Sequence, residues 1–178
     1  MHLLHTKAIT EEKAAAYATA DELRKLFAEQ MDNLHLLAFL LTAEDEKAQQ
    51  CIVSAIVECG NGTPVFRQWA RAWARRTIIK NAIRIVAPRP NHSSQTPGPL
   101  RSEIDFEAQT KHETDPAILR LLRLEDFERF VTVISVFEKY SDDDCSALLN
   151  CMEQNIREAR ERALQNISAQ ELADNGGL

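Results

Sequence analysis

Residues 124–164 read LEDFERFVTVISVFEKYSDDDCSALLNCMEQNIREARERAL. Apolar residues recur at helical spacing through Leu119, Leu122, Phe127, Phe130, Val131, Ile134 and Phe137, which predicts a helix that ends at Tyr140. Ser141 and Asp144 stand three apart, the spacing of a capping box with Asp in place of Glu, so a second helix starts there. It stops near Asn150, and a final helix runs from about Met152 to Leu172. Two short helices joined by a turn of three to four residues make a helix-turn-helix unit. In that arrangement Ala147, Leu148 and Ile156 are buried and fix the crossing. Gln154, Asn155, Arg157 and Arg160 face outward with Glu153, Glu158 and Glu161. Gln and Asn pair bidentately with adenine and Arg with guanine, so these four are candidate base contacts. A plain helical hairpin within a bundle fits the same pattern equally well.

Upstream of this stretch the chain divides. Residues 88–115 hold Pro88, Pro90, Pro97, Pro99 and a Ser-Ser pair and read as a linker. The expectation is an all-α protein of two small helical domains, 1–87 and 116–178, joined by this proline-rich segment, the second carrying the helix-turn-helix. Asp115-Pro116 starts the second block with a cap and a proline at the first helical position. In the first block the spacing predicts helices over residues 11–29 and 30–41, which the pattern also allows to run on as one. Another is predicted over 43–59, capped by Thr42. Gly60-Asn61-Gly62 ends it, and Pro64 opens a long helix that reaches about Val86.

Charge is distributed unevenly. Residues 61–100 carry seven basic side chains and no acidic one, whereas the segments on either side are acidic and bring the net charge to −6. Arg67, Arg71 and Arg75 are four apart, and so are Arg76, Lys80 and Arg84; such residues share a helix face. Trp69 and Trp73 share another. Cations that neutralise phosphate beside rings that stack on an unpaired base suit a nucleic-acid strand. The bland alternative is a solvated basic face with both tryptophans in the core.

Other classes lack their signals. There is no Gly-rich phosphate loop, nucleophile elbow or metal-ligand spacing, so neither an enzyme, a metal site nor a cofactor is expected. Cys51, Cys59, Cys145 and Cys151 form no CxxC pair and read as small buried hydrophobes. No apolar run approaches the roughly 20 residues of a membrane span, and the N-terminus has no signal-peptide core. A cytoplasmic location is the expectation.

The quoted stretch resembles the fourth conserved region of bacterial RNA polymerase sigma factors. Leu124, Arg129, Val133 and Ile134 match that region's first helix, and Tyr140-Ser141 matches its step into the second. Asp144, Ala147-Leu148-Leu149, Ile156 and Arg162-Ala163 match the remainder of the region. The first block resembles the second conserved region more loosely, and the two-block layout is that of the extracytoplasmic-function class. The resemblance implies a transcription initiation protein whose partners are RNA polymerase core, promoter DNA and, in some members, an anti-sigma factor. It implies polymerase docking through Ala48, Gln49, Gln50, Cys51 and Ile52, and promoter melting by the Trp-bearing helix over Phe66 to Ile85. The chain departs from the family pattern at Gln49, Gln50, Arg76, Lys80 and Ala159. The acidic balance over residues 152–167 is unusual for a major-groove helix and favours a second reading, a helical regulator that keeps the fold and binds a protein partner.

Overall fold

The computed structural model describes residues 16–59, 64–90 and 115–175. Among these residues the chain is all-helical, and its only extended pairing is an isolated antiparallel bridge between Tyr17 and Phe66.

Helix α1 (Ala20–Glu29) starts at a capping box. The Thr19 hydroxyl accepts from Glu22 N–H at 3.2 Å, and the Glu22 carboxylate accepts from Thr19 N–H at 2.8 Å. The helix therefore begins well after the expected Glu11. Residues 16–19 are drawn off by long-range pairing instead: Ala18 N–H donates to Val65 O at 2.7 Å and Arg67 N–H to Ala16 O at 3.0 Å. Residues 11–15 lie outside the described residues. Gln30 (φ −106°, ψ 11°) separates α1 from α2 (Met31–Thr42), so the two are distinct helices. Thr42 ends α2 rather than capping α3 (Asp45–Cys59), and its hydroxyl donates to Glu44 O at 3.0 Å. The Gly60-Asn61-Gly62 stop falls outside the described residues.

Pro64 does not open the long helix. Val65 and Phe66 are extended by their pairing with residues 16–18, a 3₁₀ turn follows over Arg67–Trp69, and α4 (Ala70–Val86) starts only then. Helices α2, α3 and α4 pack together around Leu34, Leu37, Leu41, Ala48, Cys51, Ala55, Ile78 and Ile79, all buried, with Leu23 and Phe27 of α1 closing one side. Full burial of each large aliphatic side chain stabilises by roughly 1.5–3 kcal/mol.

Helix α5 (Pro116–Leu122) starts as expected, with the Asp115 carboxylate accepting from Ala117 N–H at 2.9 Å. Helix α6 (Asp126–Thr132) does not run on in α-form to Tyr140. It passes into a π-helical turn, Val133–Phe137, in which Glu138 N–H donates to Val133 O at 3.1 Å. The local sequence explains the change. Thr132 and Ser135 hydroxyls donate to the carbonyls of Glu128 and Val131 four residues back, at 2.8 and 2.7 Å, where they compete with the backbone ladder. The run of β-branched residues around them crowds each turn. Lys139 then takes a left-handed conformation (φ 61°).

Helix α7 (Asp142–Leu149) is capped by Ser141, whose Oγ accepts from Asp144 N–H at 3.1 Å. Asn150 is left-handed (φ 50°) and ends it, and α8 (Glu153–Asn175) follows after a three-residue connection. Helix α8 packs on α6 and on α7, and α7 on the π-helical turn; Cys145, Leu149, Ile156, Ala159 and Ala163 are the buried apolar residues of α7 and α8. Of the three expected contacts only Ile156 is fully buried; Ala147 is exposed and Leu148 half-buried. With the first turn fixed at Asp142, the inward positions fall at 145 and 149, one turn apart.

The two helical blocks touch. Helix α2 packs also against α5 and α6. Arg129, only 1% exposed, donates from Nε to Leu41 O at 3.2 Å and from Nη1 to Leu124 O at 2.9 Å, while Nη2 meets Asp126 Oδ1 at 2.5 Å. The proline-rich segment falls largely on residues 91–114, outside the described residues. No helix among the described residues is long and apolar enough to cross a membrane.

Candidate nucleic-acid interface

Helix α4 contains five cations and no acid. Unpaired, cations one turn apart repel by a few tenths of a kcal/mol per pair, so where each charge finds relief is informative. Arg67, in the turn before α4, pairs with Glu22, its Nη2 3.0 Å from Oε1. The Thr19 backbone hydrogen bond, with help from the Arg67 charge, holds the Glu22 carboxyl below its usual range. Arg84 donates to Asn81 Oδ1 at 2.8 Å and lies 3.4 Å from Glu58. Arg75 makes a two-pronged contact with the Glu138 carboxylate, Nε to Oε2 at 2.6 Å and Nη2 to Oε1. That contact holds the Arg75 guanidinium more firmly protonated than usual, against the opposing effect of burial. Arg76 lies over the Tyr140 ring, 5.8 Å from its centroid. Arg71 and Lys80 are exposed and meet no carboxylate among the described residues.

The two tryptophans differ. Trp73 is half-buried and sets its ring edge-on to Phe27 at 6.4 Å, a core contact. Trp69 is 58% exposed. It ends an aromatic row in which Tyr17 stacks on Phe66 (4.4 Å) and Phe66 meets Trp69 edge-on (5.1 Å). The bridge that displaces the start of α4 thus also braces an exposed indole from behind, at the end of the helix next to Arg71.

On α8 the cations and amides are largely satisfied within the block. Arg157 pairs with Glu153 at 3.1 Å, Gln154 donates to Glu158 at 2.8 Å, and Arg160 pairs with Asp142 of α7. Arg162 and Asn166 both donate to Glu128 of α6 at 3.0 Å. Asn155 does not face outward: it is 9% exposed, and its Oδ1 accepts from Met152 N–H at 3.1 Å, closing the turn between α7 and α8. As the third residue of α8 it reaches back to the backbone N–H just ahead of the helix, the role of the return arm of a capping box.

The residues to which the resemblance gives polymerase docking split by depth. Ala48, Cys51 and Ile52 are in the core, while Gln49 and Gln50 are exposed. Gln49 donates to Asp45 at 2.6 Å, and both glutamines border a shallow groove with Glu46, Val53, Ser54 and Ile85. The thiols of Cys51 and Cys145 are buried, and desolvation pushes each up to about 11. Cys59 is buried as well, and Cys151 is half-buried.

Several partners escape a reading of the sequence. Glu22, Glu58, Glu138 and Tyr140 complete the cationic face, yet they lie between 26 and 64 positions from the residues they meet. No periodicity links groups at such separations. No protein-family model and no curated protein matches this chain.

Proposed function

We propose that the chain is a sigma-factor-like transcription initiation protein that binds RNA polymerase core and promoter DNA in the cytoplasm. In this reading α7 and α8 form a helix-turn-helix, and the two helical blocks are joined by one linker as well as by the packing of α2 on α5 and α6. The observation that carries it is α4: an acid-free helix whose exposed Arg71 and Lys80 lack carboxylate partners among the described residues, led in by the exposed Trp69. Such a surface offers counterion release to phosphate and a ring to an unstacked base. Gln49 and Gln50 are the accessible members of the polymerase-facing set, with Val53 exposed beside them.

A second reading, a helical regulator that no longer initiates and instead binds a protein, is favoured by one specific observation. The outward Arg157 and Gln154 of α8 are paired with carboxylates of the same helix, and Asn155 is buried. A base-reading helix needs those groups free.

Selection of bound sequences from a random DNA pool, with the protein alone and with core polymerase, separates the two. Enrichment of a two-part site only when core is present is the outcome expected of an initiation protein. No enrichment in either arm, together with no co-purification with core, hands the molecule to the regulator reading.

A further inference from the structure

The contacts that relieve Arg75 and Arg76 come from the other helical block. Glu138 and Tyr140 belong to the short segment between the π-helical turn and α7, and both reach α4. Their chemistry is the chemistry of a nucleic acid. A carboxylate gripped by both prongs of a guanidinium takes the place a phosphate would take, and a ring under a guanidinium takes the place of a base. Glu138 is well placed for this, since its side chain is only 6% exposed and a carboxylate at that depth needs its partner. The clasp also sits in the middle of the face. Arg75 lies one turn from Arg71, and Arg76 one turn from Lys80.

We propose that this segment autoinhibits α4: Glu138 and Tyr140 stand in for a phosphate and a base on Arg75 and Arg76, and a nucleic-acid strand must displace them to use the whole face. The inference rests on the nucleic-acid reading of α4. The segment is suited to giving way locally. It follows a π-helical turn, and Lys139 at its centre is a non-glycine residue held left-handed, a costly conformation that surrounding contacts maintain. The anchor between the blocks, Arg129 on Leu41 O, lies elsewhere, so release of residues 138–140 does not require the blocks to part. When the segment leaves, Lys139, exposed and without a carboxylate partner among the described residues, adds a cation at the rim.

The test is fluorescence anisotropy of single-stranded DNA of mixed sequence on the full chain, titrated over a range of salt. Glu138→Gln with Tyr140→Leu should bind about tenfold more tightly at low salt, and the slope of log affinity against log salt should steepen by about 0.7 for the phosphate contact Arg75 gains. Adding Arg75→Gln to that pair should abolish the extra slope. Because Glu138 is buried, Tyr140→Leu alone serves as a milder release, expected to tighten binding about threefold through Arg76, with Tyr140→Phe, which keeps the ring, as its unchanged control. Wild-type protein that binds DNA through Arg71 and Lys80, with the released variants no tighter and no steeper, overturns the clasp and leaves the nucleic-acid reading standing. Failure of both wild-type and released protein to bind removes the nucleic-acid reading itself. Binding by the released variants alone is the strongest support.

Discussion

Helices α4 and α8 are both rich in arginine, and they settle their charges in opposite ways. On α8, Glu153, Glu158 and Glu161 alternate with Arg157, Arg160 and Arg162, and Arg157 meets Glu153 four residues away. On α4 there is no acid at all, so Arg84 turns to Glu58 on α3 and Arg75 to Glu138 across the blocks, while Arg71 and Lys80 meet no carboxylate among the described residues. A helix that balances itself presents a nearly neutral face. A helix that borrows its counter-charges from elsewhere keeps an electropositive face and depends on the fold for its stability. Charge pattern within one helix therefore says more about availability to an anionic partner than the number of arginines does.

The largest effect should come from the residue that joins the two blocks carrying these helices. Arg129→Met removes donors to Leu41 O and Leu124 O from a buried site and should cost about 2–4 kcal/mol, from orphaned carbonyls and imperfect refilling. Urea unfolding followed by tryptophan fluorescence, which reports the first block through Trp69 and Trp73, and by circular dichroism, which reports both blocks, should then give two separated midpoints. Coincident midpoints at the wild-type position would show that Arg129 does not couple them.

Next in size is the direct contest between the two helices. Replacing Arg71 and Lys80 with Gln should lower the slope of log affinity against log salt for single-stranded DNA by about 1.4, at about 0.7 for each phosphate contact. The same change at Arg157 and Arg160 should lower it by well under one, since both are paired with carboxylates. Equal losses would erase the distinction between a borrowed and a balanced helix. A larger loss on α8 would reverse it.

The smallest effect treats the blocks as equals. Cys51 lies in the first and Cys145 in the second, and desolvation raises both thiols to about 11. An unfolded thiol titrates near 8.5. The folded state therefore holds protons that the unfolded state gives up, so this stabilisation is complete below about pH 8.5 and is lost as pH rises toward 11. Thermal melts from pH 8 to 11 should show the midpoint falling, and Cys51→Ala or Cys145→Ala should each flatten that fall. A variant as steep as wild type would mean that its thiol reaches water in the native state.

Local chemistry was legible in the sequence wherever it was self-contained. Asp115-Pro116, the Ser141 cap and Asn150 act as expected, because a cap or a left-handed stop needs only its neighbours; Asp144 accepts from the Ser141 hydroxyl and not from its backbone N–H, so the reciprocal arm of the box is not made. Thr19 and Glu22 carry the same kind of signal, three apart, but the alanine-rich run before them suggests an earlier helix start. The residues that pull 16–18 out of the helix are Val65 and Phe66, far along the chain. The exposed stripe on α4 was legible as a stripe; which of its members are engaged was not. Asn155 shows the limit at the scale of one residue. Its type and spacing suit a base contact and a helix cap equally, and only the position of Met152 N–H decides between them.

The π-helical turn at Val133–Phe137 has a consequence for phase. It holds one residue more than an α-turn would, and one residue is about 100° of rotation about a helix axis. Everything after it is swung by that angle, which brings Glu138 to Arg75 and Tyr140 to Arg76. A deletion of one residue there would relax the turn to ordinary α-geometry at a cost to the second block's packing, since Val133 and Ile134 within the turn and Cys145 and Leu149 beyond it are buried. It would aim the same side chains past their partners, much as a gear advanced by one tooth still turns but no longer meshes on its mark.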